Sequence, residues 1–345
     1  MRVLWIIVVC VIFAWDQRRR GKKAGMHFAA LCENWPREAS SIRFLKQLHA
    51  SLKAEQAKHE PDQLRCGMSA SVDLAMAGGG MKCVYGLGAY LALVHAGIKV
   101  HSISGASGGA LVASIVHGRT QYKLEDVLRE PLFAMGPCLA RVIREHKTLC
   151  LGRVLRAITL MFLKRIGKWT PPPNKLFVSV TTITNAGLQE NITTRFDSSE
   201  DFINTLRASM SVPFLLCDGL FLPWRGRRAI DGCFKNNCPV SILSEQCAEA
   251  DPEKRVILVI DCNKIARVPV WKKLLHIVYV PDAVSGELVL QGARDMLEAL
   301  SSKETQVSGV TMIRRDRALL KRDFSYQIMP GKEHITRLLA KRCLI

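Results

Sequence analysis

The chain has 345 residues, 48% of them hydrophobic, and 49 Lys and Arg against 30 Asp and Glu give it a formal net charge of +19. A chain of this length and apolar content buries a sizeable core, which excludes a disordered polypeptide; its 12 cysteines include no Cys-x-x-Cys pair and read as reduced, buried thiols on a cytosolic face, not as a disulfide scaffold. The charge suits an anionic membrane surface or nucleic acid, and with 7% aromatic residues and no zinc-finger or single-strand-binding signature the membrane is the expected partner and nucleic acid is not.

The first element is Val3–Trp15, uncharged and strongly apolar, followed at once by Arg18, Arg19, Arg20, Lys22 and Lys23. As a helix it reaches roughly 20 Å, short of the ~30 Å hydrocarbon core, so residues 1–15 are expected as a short membrane anchor or interfacial segment with the basic cluster at headgroups. A secretory signal cut after Ala14 is the alternative, disfavoured because the charge follows the apolar run instead of preceding it. Residues 16–70 then form a basic, partly helical linker, and residues 71–262 form the core.

Val72–Ala77 alternates with period two and predicts a strand running into Gly78-Gly79-Gly80. Val84, Leu87, Leu91 and Val94 recur at helical spacing, and Gly97 marks the stop. Strand, glycine triplet and helix leave unshielded backbone N–H groups beside a helix N-terminus, which is the setting of an oxyanion hole. A phosphate-binding loop is the rival, but no Gly-Lys-Ser/Thr follows. Next comes Gly105-Ala-Ser107-Gly-Gly109, a Gly-x-Ser-x-Gly nucleophile elbow with Ser107 at its apex.

Further along, Leu151, Val154, Leu155, Ile158, Phe162 and Ile166 recur at helical spacing with Arg153, Arg156, Lys164, Arg165 and Lys168 as a basic complement. That helix either packs on the sheet with a solvated basic face or acts as a membrane-surface lid. Leu176–Ile183 and Val256–Ile260 read as buried parallel strands, and Asp197–Glu200 as the capped start of a helix running to about Met210. Asn191-Ile-Thr193 matches a glycosylation sequon inside an expected strand, where it reads as chance. Residues 263–345, with a strand near 276–280 and a helix near 285–300, are expected to complete or pack on the core. The whole predicts an α/β sheet with helices on both faces.

A serine nucleophile requires a base. One solution is a triad in the order Ser107, Asp261, His276, as in an α/β-hydrolase esterase. The other is a dyad with Asp231, which precedes Gly232 and is followed by Asn236, Asn237 and Pro239; a carboxylate beside apolar residues has its pKa lifted by desolvation toward the working pH. Asp218-Gly219 lacks that continuation and reads as an ordinary turn. A basic lipid-surface binding protein with an idle dyad is the non-enzymatic alternative. The nine histidines show no metal-ligand spacing, and no metal or cofactor is expected.

Four blocks in order resemble the patatin-like phospholipase family. Gly78–Lys82 is similar to its glycine-rich oxyanion segment, Gly105–Gly109 to its serine elbow, Ala208–Phe214 to its Ala-Ser-x-x-x-Pro-Phe stretch, and Asp231-Gly232 with Asn236, Asn237 and Pro239 to its Asp-Gly block. The resemblance covers residues 72–262. It implies a three-layer α/β/α core with a mostly parallel central sheet and calcium-independent phospholipase A or lysophospholipase activity on acyl-ester lipids. Ser107 would be the nucleophile and Asp231 the base, with Gly78, Gly79 and Gly80 as oxyanion donors and Gly105, Gly109, Gly232 and Lys82 as motif support. Where the family has Arg-Gly this chain has Lys82-Cys83, and Cys233 replaces the usual small residue; lysine keeps the charge but not the planar fork of arginine.

Overall fold

The computed structural model describes residues 16–17, 19–31, 39–59, 71–117, 138, 141–146, 151–166, 170–217, 219–246, 256–265, 282–302 and 306–314. The apolar run 3–15, Asp218, His276, the strand expected at 276–280 and the basic clusters at 272–273 and 315–322 lie outside these residues. No helix among the described residues is long and apolar enough to cross a membrane.

Nine strands form one sheet: β1 (Ser71–Met76), β2 (Lys99–Ala106), β3 (Leu176–Thr184), β4 (Gly187–Thr193), β5 (Leu222–Trp224), β6 (Arg227–Ile230), β7 (Val256–Ile260), β8 (Gln306–Val307) and β9 (Val310–Arg314). Their order is β5-β6-β3-β2-β1-β7-β9-β8, with β4 also paired to β3. The central run β3-β2-β1-β7 is parallel. Both flanks are antiparallel, because β4 and β6 return along β3 and β9 returns along β7.

Among the described residues the helices include α1 (Ala39–Gln56), α2 (Val84–His95), α3 (Gly108–His117), α4 (Gly152–Ile166), α5 (Ser199–Ser209), α6 (Ser241–Gln246) and α7 (Asp282–Ser301), besides helical segments over 19–31 and 141–146. They make three layers, and the alternation of each strand shows which face meets which helices. Val72, Leu74 and Met76 of β1, Leu176 and Val178 of β3 and Val256 and Leu258 of β7 enter the larger core with residues of α1–α5 and α7. Ala75, Phe177, Ile257 and Val259 point the other way, onto Cys238, Val240 and Leu243 at the start of α6. Burial on both faces is why β7 reads as an unbroken apolar run.

Local signals account for the helix ends. Gly97, at φ +67°, closes the end of α2, with the Ile98 N–H returning to the Leu93 carbonyl at 3.0 Å. Ser198 caps α5, its hydroxyl accepting from the Asp201 N–H at 3.1 Å. Helix α7, from the C-terminal extension, lies across α2, where a Cβ on Gly88 or Gly292 would strike the backbone of Val289 or Tyr85. At that crossing the buried Tyr85 hydroxyl donates to Asp295 at 2.6 Å. Helix α4 buries Val154 and Leu155 in the larger core beside Leu151, which precedes it, and packs against α5, leaving Arg156 exposed. Its described side chains show one face packed into the core and an outer face that exposes both Arg156 and Leu160, while the side chains of Lys164 and Arg165 lie outside the described residues.

Candidate active site

The strand pattern brings Ser107 and Asp231 together across 124 positions of sequence. β2 pairs with the first half of β3, ending at Ala106 opposite Ser179. β6 pairs with the second half in the opposite sense, ending at Ile230 opposite Thr181. β4 occupies residues 178–184 of β3, overlapping both partners, so β2 and β6 share the other edge. The two strands meet head-on there with the single residue Val180 between their tips. The next residue of each is Ser107 and Asp231, and the Ser107 hydroxyl donates to Asp231 Oδ2 at 2.7 Å.

Ser107 sits at φ +53°, the left-handed conformation of a sharp strand-to-helix elbow, immediately before α3. The chain tolerates this turn because Gly105 and Gly109 carry no Cβ: one on Gly105 would lie 2.8 Å from the Ala110 backbone, and one on Gly109 2.5 Å from the Met76 carbonyl oxygen. The Ser107 N–H donates to the Ser209 hydroxyl at 2.9 Å, and Ser209 donates onward to the Ser179 carbonyl at 2.7 Å. Ser209 thus ties the elbow to β3 from the end of α5. The start of α3 also places partial positive charge near the Ser107 oxygen.

Asp231 is completely buried. Desolvation pushes its carboxyl up to about 6, opposed by the Cys233 N–H on Oδ1 at 2.9 Å and by the Ser107 hydroxyl. A buried carboxylate at this value accepts a proton from a hydroxyl and releases it again near neutral pH. Asp231 is held from behind, its own N–H bonded to the Ser211 carbonyl at 3.0 Å, and Gly232 packs its Cα against the Ser179 carbonyl.

The glycine loop lies over the elbow. A Cβ on Gly108 would stand 2.5 Å from the Gly80 carbonyl oxygen, so the two segments are in direct contact. Gly80 adopts φ +60°, which turns the chain into the short helix Gly80–Cys83. The Gly78 N–H donates to the Asn237 carbonyl at 3.0 Å, and the Gly78 carbonyl accepts from Asn237 at 3.2 Å and from Asn263 at 2.7 Å. The N–H of Gly78, one of the three expected oxyanion donors, is therefore already engaged as an anchor, whereas the N–H groups of Gly79 and Gly80 have no acceptor among the described residues. Gly79 is pressed against Cys262, whose thiol burial pushes up to about 12 and keeps protonated. Lys82 is buried and donates to Asn263 Oδ1 at 2.7 Å, fixing the amide that holds Gly78.

Asp261 accepts from the Asn263 N–H at 2.9 Å and from its side-chain amide at 3.0 Å, so its carboxylate braces the loop after β7. The hydroxyl of Ser107 is engaged by Asp231, and His276 of the alternative triad lies outside the described residues.

The family model for patatin-like phospholipases matches residues 74–244, a stretch that contains the glycine loop, the elbow and Asp231. Human patatin-like phospholipase domain-containing protein 4 is 32% identical over 183 residues, which is 49% of this chain and 67% of that protein. This chain belongs to the patatin-like phospholipases. As a family of lipid acyl hydrolases, patatin-like phospholipases set the reaction class within which the Ser107–Asp231 contact is to be understood. Three residues of this patatin-like site had no role assigned from the linear pattern. Ser209 lies inside the Ala208–Phe214 block and Asn237 inside the Asp-Gly block, so the blocks themselves carried the signal; Asn263 lies beyond the matched stretch and only the end of β7 places it.

Proposed function

We propose that the protein is a calcium-independent acyl hydrolase of the phospholipase A or lysophospholipase type, working through a Ser107–Asp231 dyad. The observation that carries this reading is the 2.7 Å hydrogen bond from Ser107 to a fully buried carboxylate. Ser107 Oγ attacks the ester carbonyl carbon while its proton passes to Asp231 Oδ2. The tetrahedral oxyanion is received by the Gly79 and Gly80 N–H groups. Its collapse breaks the ester C–O bond, and the alcohol leaves with the proton from Asp231. Water then gives a proton to Asp231 and attacks the acyl-enzyme; breaking the acyl C–Oγ bond releases the fatty acid while Asp231 returns that proton to Ser107 Oγ, restoring both groups.

The substrate surface is an anionic membrane. Phe214, 66% exposed, follows by three residues the Ser211 carbonyl that holds the Asp231 N–H. The neighbouring hairpin exposes Arg227 and Arg228, the latter stacked over Phe221 at 5.2 Å, and the net charge of +19 supports the same partner. The test is fatty acid release from phosphatidylcholine vesicles, with and without phosphatidylserine and in the presence of EGTA, by wild type, Ser107→Ala, Asp231→Asn and His276→Ala. Activity lost in the first two variants and kept in the third supports the dyad; loss in His276→Ala with retention in Asp231→Asn overturns it in favour of a triad.

A further inference from the structure

Away from the elbow, the helical segment over 19–31 meets the short helical segment over 141–146, and three side chains with metal-binding atoms converge there. His27 Nδ1 lies 3.1 Å from His146 Nε2, although 119 positions separate the two residues. The same His27 nitrogen lies 3.2 Å from Glu145 Oε2. The imidazole rings stand edge to face, centroids 5.3 Å apart at 78°, so they are not stacked on each other. Arg141 donates to the other carboxylate oxygen of Glu145 at 2.9 Å, which turns Oε2 toward the histidines.

Two edges of the ligand triangle are thus 3.1 and 3.2 Å, and the ligand atoms of all three residues lie within 4.8 Å of one another. Zinc bonds of about 2.0–2.2 Å to nitrogen and oxygen in tetrahedral geometry place the ligand atoms about 3.3–3.5 Å apart. The observed 3.1 and 3.2 Å need only a few tenths of an ångström of expansion, within side-chain freedom, to admit the ion. Two imidazoles and one carboxylate form a borderline-soft donor set that suits zinc-type ions and not calcium or magnesium, which take oxygen. The side chains of His27 and Glu145 are 29% and 41% exposed, so an ion has a path in and a water can complete its shell.

We propose that His27, Glu145 and His146 bind one divalent transition-metal ion of the zinc type, with the fourth position open to water. The ion clips the helical segment over 19–31 to the segment over 141–146. The first segment is already seated in the core through Ala24 and Phe28, and its Gly25 lies against Arg153 of α4, so the clip adds a second tether beside that contact. This inference is independent of the acyl hydrolase reading.

The test uses the full chain, kept reduced with a phosphine, titrated with cobalt(II) and followed by visible absorption, then with zinc in competition. The expected result is one cobalt per chain with tetrahedral bands, no thiolate charge-transfer band, and displacement by zinc. His27→Ala, His146→Ala and Glu145→Gln are each expected to weaken binding at least about tenfold. His27→Gln, which keeps a polar group of similar reach, is expected to lose the ion while melting like the wild type in chelator. A wild type that gives no tetrahedral cobalt spectrum, or one that a His27→Ala/His146→Ala double variant reproduces unchanged, overturns the proposal and leaves the cluster as a hydrogen-bonded imidazole pair.

Discussion

Replacing Asp231 with asparagine is expected to abolish hydrolysis and, at neutral pH, to make the protein more stable. The carboxyl is completely buried and its pKa is pushed from 3.8 up to about 6 by desolvation, so the folded state holds the proton more tightly than the unfolded chain does. That preference stabilises the fold fully below the unfolded value and is lost as pH rises through the folded one. Two pKa units correspond to about 3 kcal/mol, the handicap that the ionised wild type carries above pH ~6.5. Asparagine is isosteric and cannot ionise; it still accepts from the Cys233 N–H and can meet the Ser107 oxygen with its amide. Urea unfolding of both proteins at intervals from pH 4 to pH 8 measures the difference. The variant's advantage is expected to be near zero at pH 4 and to grow to about 3 kcal/mol by pH 7. A difference that stays flat across the range, or that favours the wild type increasingly as pH rises, refutes the assignment of a desolvated carboxylate at this position.

Three further outcomes follow from the same geometry. The acid limb of kcat/KM is expected to bend near pH 6, because in the proposed dyad Asp231 takes the Ser107 proton only when ionised; a limb at pH 4 in a pH-rate profile contradicts this. Ser209→Ala leaves the Ser107 N–H and the Ser179 carbonyl buried without their partner, so stability is expected to fall by about 2–4 kcal/mol in urea melts and kcat to fall with KM little changed. Gly79→Ala drives a Cβ into the Cys262 sulfur and is expected to suppress turnover, whereas Cys262→Ala in the same chain removes the obstructing atom and restores part of it in the vesicle assay.

Periodicity and turn chemistry made β1, α2, β3, α5 and β7 legible in the sequence: β1 runs into the glycine triplet, α2 stops at Gly97, α5 opens on a cap, and β3 and β7 are β-branched or unbroken apolar runs. The antiparallel flanks were not legible. β3 carries the β-branched, apolar pattern of a strand buried on both faces, and that pattern is indifferent to whether β4 and β6 run with it or against it. The same limit applies at the site. Ser107 and Asp231 announce themselves through the glycines around them, but the role of Gly78 depends on where Asn237 arrives from across the sheet, and its N–H is consumed there. Helix α4 shows the ambiguity of an amphipathic stripe, since the spacing that suits a membrane surface equally suits a protein core.

The head-on meeting of β2 and β6 has a consequence for how such a site can diversify. The spacing of the two strand tips is set by the step from Ser179 to Thr181 of β3, two residue rises or about 6.6 Å, and not by the length of chain joining them. Segments between the two tips that do not hold the site, such as the β3–β4 turn, can lengthen, shorten or be exchanged while the Ser107 and Asp231 oxygens keep their distance. An insertion within β3 at Val180 does the opposite, moving the tips apart by a full step. The strand acts as a ruler, and the segments looping away from it are where substrate preference can be rewritten without recalibrating the chemistry.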